Sequence, residues 1–435
     1  MTARFFYLFG AVAAVFALAF PFPVLFPVAQ TALVVASALV VADALRLFSR
    51  KIPLAAAREI APVLSLSDPN PVRLRLKNNS NLPLHLSIID ELPAQLQRRD
   101  FEERTWMPAG AAQTLEYEIV PLSRGAYQFG VVNVFATTRL GLVERRFRLA
   151  EPQEVAVYPS ILQMKRYELR ALRHIAHQSG IKKMRRIGHS YEFEQIKNYV
   201  EGDDYRSLNW KATSRRGDLM VNQYEDERSQ QVWCIVDKSR TMRMPFGGLS
   251  LMDYAINATL AVSNIILKKN DKAGLLSFSD VIGSTLKAEG TTAQLPRILE
   301  ALYRERERPV EANFELLYQA VRRMVSVRSL LLLFTNFESS YALDRALPHL
   351  RRLARAHLLV VVIFENTEIR QLAQTEADTV ADIYRQTLAQ QFLQEKKEMV
   401  QKLRQFGIQA VLTKPQDLTL NTINKYLELK SRGVI

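Results

Sequence analysis

From Phe5 to Ala42 the chain carries no charged residue. At the helical rise of ~1.5 Å per residue such a run would be about 57 Å long, close to twice the ~30 Å hydrocarbon core of a bilayer. A single span would overshoot, so the run is expected to fold back. The stretch FPFPVLFP, Phe20 to Pro27, supplies the break: Pro21, Pro23 and Pro27 lack a backbone N–H and disfavour continued helix. The expectation is a transmembrane hairpin of two helices, roughly Phe5–Phe20 and Val28–Leu47. A cleaved signal peptide is the competing reading, on the small-residue run ALAF, and the second apolar run speaks against it. Arg4 precedes the hairpin, and Arg46, Arg50 and Lys51 follow it. Positive residues on both flanks place both ends in the cytoplasm, which predicts a multi-pass location with lipid as the first partner.

The 435 residues exceed one ordinary domain, and a composition of 48% hydrophobic and 23% charged residues is that of a folded chain. Cys234 is the single cysteine, so no intrachain disulfide forms, and a reducing compartment fits. The formal charge of +14 invites a nucleic-acid reading, but the excess is spread along the chain. Its densest run is Lys165–Arg186, with Arg166, Arg170, Arg173, Lys182, Lys183 and Arg185 between. A solvated linker or a face near anionic lipid is the plainer reading, and no nucleic-acid partner is expected.

The hydropathy pattern divides the chain into 1–50 (the hairpin), 51–160, 161–228 and 229–435. Residues 51–160 read as all-β: Val72–Leu76 alternates strictly, Leu82–Asp90 nearly so, and Thr114–Val120, Gly125–Val134 and Leu142–Leu149 follow between turn residues. Short strands at this spacing predict a small immunoglobulin-like β-sandwich. From Val232 the pattern becomes apolar strands at Val232–Asp237, Ala273–Ser277, Ser329–Thr335, His357–Phe364 and Ile408–Leu412, separated by stretches of helical period. Strands this apolar predict a largely parallel, doubly wound α/β sheet covered on both faces. Neither GxGxxG after the first strand nor GxxxxGK[ST] occurs, so nucleotide binding of those kinds is unsupported, and no small-molecule substrate is identified.

Two places carry candidate chemistry. The first strand runs into VWCIVDKSRTM, where Asp237, Ser239 and Thr241 set three oxygens at two-residue steps. The second is the block Ser190–Glu227, dense in Tyr, Trp, arginines and paired acids. There Asp203 and Asp204, after Gly202, read either as a carboxylate pair for acid–base or metal chemistry or as a Gly-Asp turn whose side chains cap the next helical turn. No histidine or third acid lies in register, which favours the turn. Trp210 reads as a packing anchor.

The same block resembles the signature of the bacterial family called domain of unknown function 58. The pattern is an acidic-aromatic opening, a Gly-Asp-Asp turn, an arginine, a tryptophan and a basic-Gly segment, here Glu192, Phe193, Gly202, Asp203, Asp204, Arg206, Trp210, Arg216 and Gly217. The segments PLSRGAYQFG and RLGLVERRF agree with it. The resemblance implies a C-terminal unit like a von Willebrand factor A domain, and a protein of the bacterial inner membrane that works as partner or adaptor of a MoxR-type AAA+ ATPase. It implies no catalytic activity, and Gly202, Asp203, Asp204, Arg206 and Trp210 become the candidate binding residues.

A metal-bearing domain of that type converges three loops on a Mg²⁺ ion, which wants near-octahedral oxygens at ~2.1 Å. Asp237, Ser239 and Thr241 satisfy the first loop. The second should bring a threonine before the helix near Phe314, and the chain offers Ala312 or Asn313. The third should bring an aspartate, and Asn336 stands there with Thr335 and Glu338 as neighbouring acceptors. One side-chain carboxylate of two remains, so a Mg²⁺ ion would be weakly held. A surface loop in which Asp237 accepts backbone and hydroxyl hydrogen bonds is the favoured reading, and no cofactor is expected. The sequence therefore predicts a membrane-anchored, non-enzymatic interaction protein. A metal-dependent hydrolase on Asp237 with Asp203 and Asp204, or a basic nucleic-acid-binding surface, is the alternative.

Overall fold

The computed structural model describes residues 1–48, 53–98, 101–178, 192–200, 203, 205–225, 229–375 and 379–434. The chain forms two units, Met1–Ser160 and Ile161–Ile435.

The first unit opens with helices α1 (Ala3–Ala19) and α2 (Phe26–Phe48), separated by a short 3-10 turn at Pro23–Leu25. The break falls on the proline-rich stretch, as the missing N–H groups require. The expected pair of membrane-crossing helices needs correcting. Among the described residues only the continuous segment Pro23–Phe48, 26 residues, is long and apolar enough to cross a membrane. The 17-residue α1 extends about 26 Å at ~1.5 Å per residue, short of the ~30 Å core. The multi-pass location with both ends in the cytoplasm falls with it: flanking charges orient a hairpin only if both helices span.

Strands β1 (Leu54–Ile60), β2 (Val63–Ser65), β3 (Asn70–Asn78), β4 (Leu84–Asp90), β5 (Glu103–Met107) and β6 (Ala112–Ile119) follow. The unit closes with β7 (Gly125–Phe129), β8 (Val132–Thr137), β9 (Glu144–Leu149) and β10 (Gln153–Tyr158). They form three small sheets, ordered β1-β3-β6, β2-β10-β7 and β5-β4-β8-β9, in place of two facing sheets. Strand β3 alternates buried and exposed along its whole length, with Val72, Leu74 and Leu76 inward, the mark of a sheet with one wet face.

The β8–β9 loop is tied to the apolar helices. Asp43, fully buried on α2, accepts hydrogen bonds from the Thr138 hydroxyl and, at 3.0 Å each, from the backbone N–H groups of Leu142 and Val143. Thr2 donates to the Gly141 carbonyl (2.5 Å), and Arg145 donates to the Leu47 carbonyl (2.9 Å). A buried carboxylate needs such donors, and one loop supplies all three.

The second unit begins with α3 (Ile161–Gln178), the hairpin strand β11 (Glu192–Asn198), α4 (Trp210–Arg216) and its partner strand β12 (Met220–Glu225). The main sheet takes β13 (Gln231–Asp237), then, after the small hairpin β14 (Pro245–Phe246) and β15 (Leu249–Ser250) and helix α5 (Leu251–Lys268), β16 (Lys272–Phe278) and β17 (Ile282–Glu289). Helices α6 (Gln294–Arg304) and α7 (Phe314–Met324) lead to β18 (Leu330–Phe334), α8 (Ser340–Ala356) and β19 (Leu358–Phe364). The chain ends with α9 (Thr367–Gln374), α10 (Val380–Gln405), β20 (Gln409–Thr413) and α11 (Leu418–Ser431).

The sheet order is β17-β16-β13-β18-β19-β20. Five strands run parallel, and β17 returns antiparallel on the edge. This corrects the expected von Willebrand factor A-like doubly wound sheet to a mixed, Rossmann-like α/β sheet. The edge strand escaped the pattern because half of IGSTLKAE is polar and its side chains are mostly half-buried or exposed. Central β13 and β18 are buried nearly throughout, since both faces are covered. Val232, Cys234 and Val236 meet α5, α6 and α11, whereas Trp233 and Ile235 meet α7, α8 and α10.

Gly274 on β16 is registered opposite Trp233. A Cβ there would stand 2.7 Å from the indole ring, which is itself 2% exposed. Gly274→Ala should therefore force a core rearrangement and lower stability by about 1–3 kcal/mol. The check is a shift of the denaturant midpoint with the slope retained.

Candidate functional site

The carboxyl edge of the α/β sheet collects the polar groups of β13, β18 and β19, where open sheets of this kind place their ligands. Asp237 ends β13 and is fully buried. One of its oxygens accepts from the Thr335 hydroxyl (2.6 Å) and the other from the Ser239 backbone N–H (2.8 Å). Burial pushes its carboxyl above the ordinary carboxylate range, and these hydrogen bonds only partly offset that. Ser239 and Thr241 face each other at 3.1 Å between hydroxyls. Asp237 thus accepts backbone and hydroxyl hydrogen bonds, with Thr335 as one donor, but the expected surface loop is corrected: Asp237 and Ser239 are buried.

The other two loops are occupied from within the chain. The Asn313 side-chain oxygen caps α7, accepting from the Leu316 N–H at 2.9 Å. The Asn336 side-chain oxygen accepts from the Lys396 ammonium at 3.0 Å, and the same ammonium donates to the Phe337 carbonyl. A cation of the chain sits on the oxygen that a third-loop metal ligand would have to offer. Glu338 is turned to Arg240, 3.2 Å away. Beside these lies a second network: Lys238 pairs with buried Glu305 (2.9 Å), which also accepts from the Ser284 N–H (2.8 Å) and the Ser277 hydroxyl. Burial raises the Glu305 carboxyl, yet the donors from Ser277, Ser284 and Lys238 outweigh it and leave the group below its ordinary value.

Lys396 was invisible to motif reasoning because QEKKEMV reads as a solvated helical run. Its helical spacing to Phe392, Met399, Val400 and Leu403 puts it on the apolar stripe of α10, and that was the available signal. It is 3% exposed. Burial lowers the amine to about 8, with Glu395 and Glu338 pulling it partly back. It lines a cavity of about 180 Å³ together with Asn336, Glu338 and Asn366.

In the signature block, Asp203 accepts from the Lys197 ammonium (2.7 Å) and from the Val200 N–H (3.0 Å), a turn held by its own aspartate. Gly202 and Asp204 lie outside the described residues. So do Lys182, Lys183 and Arg185 of the basic run. Asn209 caps α4 by accepting from the Ala212 N–H (3.0 Å), and Gly217 closes it at φ +81°, where glycine alone is unstrained. Trp210 is 69% exposed, as is Tyr205, and the Arg206 guanidinium lies 5.8 Å from the Tyr205 ring. The expected packing role of Trp210 is corrected: α4 has a single short turn pair and turns its first residue outward. Among the described residues no three His, Cys, Asp or Glu side chains are grouped to hold a metal ion. The hydrolase alternative therefore finds no such grouping among the described residues, Asp204 lying outside them.

These features define an α/β protein with a polar sheet edge and an aromatic-bearing hairpin. Residues 195–389 match the family model described as "Protein of unknown function DUF58". The chain is 26% identical over 166 residues to the uncharacterized protein YeaD of Bacillus subtilis (strain 168), covering 38% of this chain and 39% of that protein. It spans well under half of that relative's length. Among solved structures it overlaps the CARDB domain of PF1109 from Pyrococcus furiosus with 12% identity, 24% of this chain, 93% of that one and a TM-score of 0.19. It also overlaps proximal thread matrix protein 1 of the mussel byssus with 8% identity, 45% and 46% coverage and a TM-score of 0.25. Overlaps this small assign no fold.

The Asp237 geometry yields a pH dependence. A carboxyl raised on folding binds its proton more tightly in the folded state, so it stabilises at low pH. That contribution is lost as pH rises above the unfolded value of ~4 and through the folded one. Asp237→Asn should remove this part of the slope, seen as a wild-type-minus-variant difference in unfolding free energy that falls as pH rises above about 4.

Proposed function

We propose that this chain is a membrane-associated, non-enzymatic interaction protein whose α/β unit docks on a MoxR-type AAA+ ATPase. One observation carries the docking: Tyr205 and Trp210, in the family-matched segment, are each 69% exposed beside Arg206. Aromatic rings and arginine dominate the energetics of protein interfaces, and here one ring lies on a short 3-10 turn (Tyr205–Ser207) and the other opens the capped helix α4, both exposed. The apolar segment Pro23–Phe48 supports the membrane association. The AAA+ partner rests on the family resemblance, and the absence of an enzymatic role on the chain's own use of its polar groups at Asp237, Asn313 and Asn336.

The test is co-elution of the full chain, in mild detergent, with a MoxR-type ATPase held by a non-hydrolysable nucleotide. The wild type should co-elute and change the ATPase rate. The double variant Tyr205→Ala, Trp210→Ala should lose about 2 kcal/mol or more, roughly a thirtyfold drop in affinity. Failure of the wild type to co-elute, with an unchanged ATPase rate, overturns the reading.

A further inference from the structure

We propose that the cavity at the carboxyl edge of the α/β sheet binds a carboxylate carried on an apolar body about the size of one ring. This inference does not depend on the ATPase reading.

Size sets the first limit. The cavity holds about 180 Å³. Sites for nucleotides and drug-sized ligands run to ~300–1,000 Å³, whereas a dry cavity of ~150 Å³ accepts benzene. One ring or one branched aliphatic group fits.

Charge sets the second. Lys396 brings a buried ammonium to the cavity wall, and both of its hydrogen-bond acceptors, Asn336 and Phe337, are neutral oxygens. No carboxylate among the described residues forms an ion pair with it; Glu395 and Glu338 act only at longer range, and Glu338 is engaged by Arg240. An ammonium has three donors, so one is left without an acceptor, with the Phe392 ring 5.5 Å away. Buried charges are ordinarily paired, and a charge-assisted bond to a carboxylate is the short, strong kind. The single ammonium suits a monoanion better than a phosphate dianion.

The walls set the third. Met244, Phe246, Leu251, Phe364 and Phe392 make most of the remaining wall apolar, with Asn366 and the Arg240-paired Glu338 as its other polar groups, so the ligand's body is largely apolar as well. Such a carboxylate exists either as a free small acid or as the C-terminus of another chain ending in an apolar residue.

The experiment uses the full chain in detergent and titrates phenylacetate by calorimetry, with phenylacetamide as the neutral twin. A second arm uses a pentapeptide ending in phenylalanine, as the free acid and as the amide. A saturable carboxylate of either source, at least tenfold tighter than its amide and at least tenfold weakened by Lys396→Met, supports the site. A peptide acid that binds more tightly than phenylacetate assigns the chain terminus; the reverse order assigns the free acid. Met244→Trp, which fills the half-open rim and leaves the charge, should also abolish binding, and it serves if Lys396→Met fails to fold. Amides that bind as well as acids, binding unchanged in both variants, or no saturation by either acid at about 10 mM overturns the proposal.

Discussion

A carboxylate buried at the end of a central strand must find donors inside the protein, and Asp237 organises the sheet edge around that demand. Thr335, directly after the neighbouring β18, and the Ser239 backbone supply them, which fixes two strand ends and the loop between β13 and α5. The adjoining groups are settled the same way. Glu305 is held by Lys238, Ser277 and Ser284, and Asn313 closes a helix. Hydrogen bonds between neighbouring loops thus do at this edge what a metal ion does where three loops converge on one cation.

Lys396 is the exception to this self-sufficiency. It reaches the edge from α10, far along the chain, and brings a charge to a place where its two partners are neutral. A methionine of similar length would fill the same space without the desolvation cost. The ammonium instead ties α10 to Asn336 and Phe337 beyond the end of β18, which a methionine could not do.

Much of the architecture was legible where periodicity was strong. The strict alternation of Val72–Leu76 and the apolar runs at Val232–Asp237 and His357–Phe364 announce a half-wet and a two-faced sheet respectively, and strands stand there. The prolines at 21, 23 and 27 announce the helix break. What failed was length and edge. Apolar composition does not say where a helix ends, so α1 looked long enough to cross a bilayer. The polar edge strand β17 resembles a loop until β16 pairs with it. At the site, the types of residue in the first and third loops were readable, but their partners were not. Thr335 donating to Asp237 joins residues 98 positions apart, and Lys396 covering Asn336 joins residues 60 apart. Sequence spacing carries no such information. The exposure of Trp210 was hidden for another reason, since a lone tryptophan reads as a packing anchor until its helix is seen to be short.

The three donors on Asp43 make the join between α2 and the β8–β9 loop a rigid coupling. Loads placed on the strands of the first unit pass into the apolar helix at one carboxylate. Because Leu142, Val143 and Thr138 approach it together, α2 cannot turn about its own axis without breaking all three bonds. In a bilayer, torque as well as tension on the β unit would be felt by the helix. The helix is thereby coupled to the β unit as a flexible tether of the same length would not be.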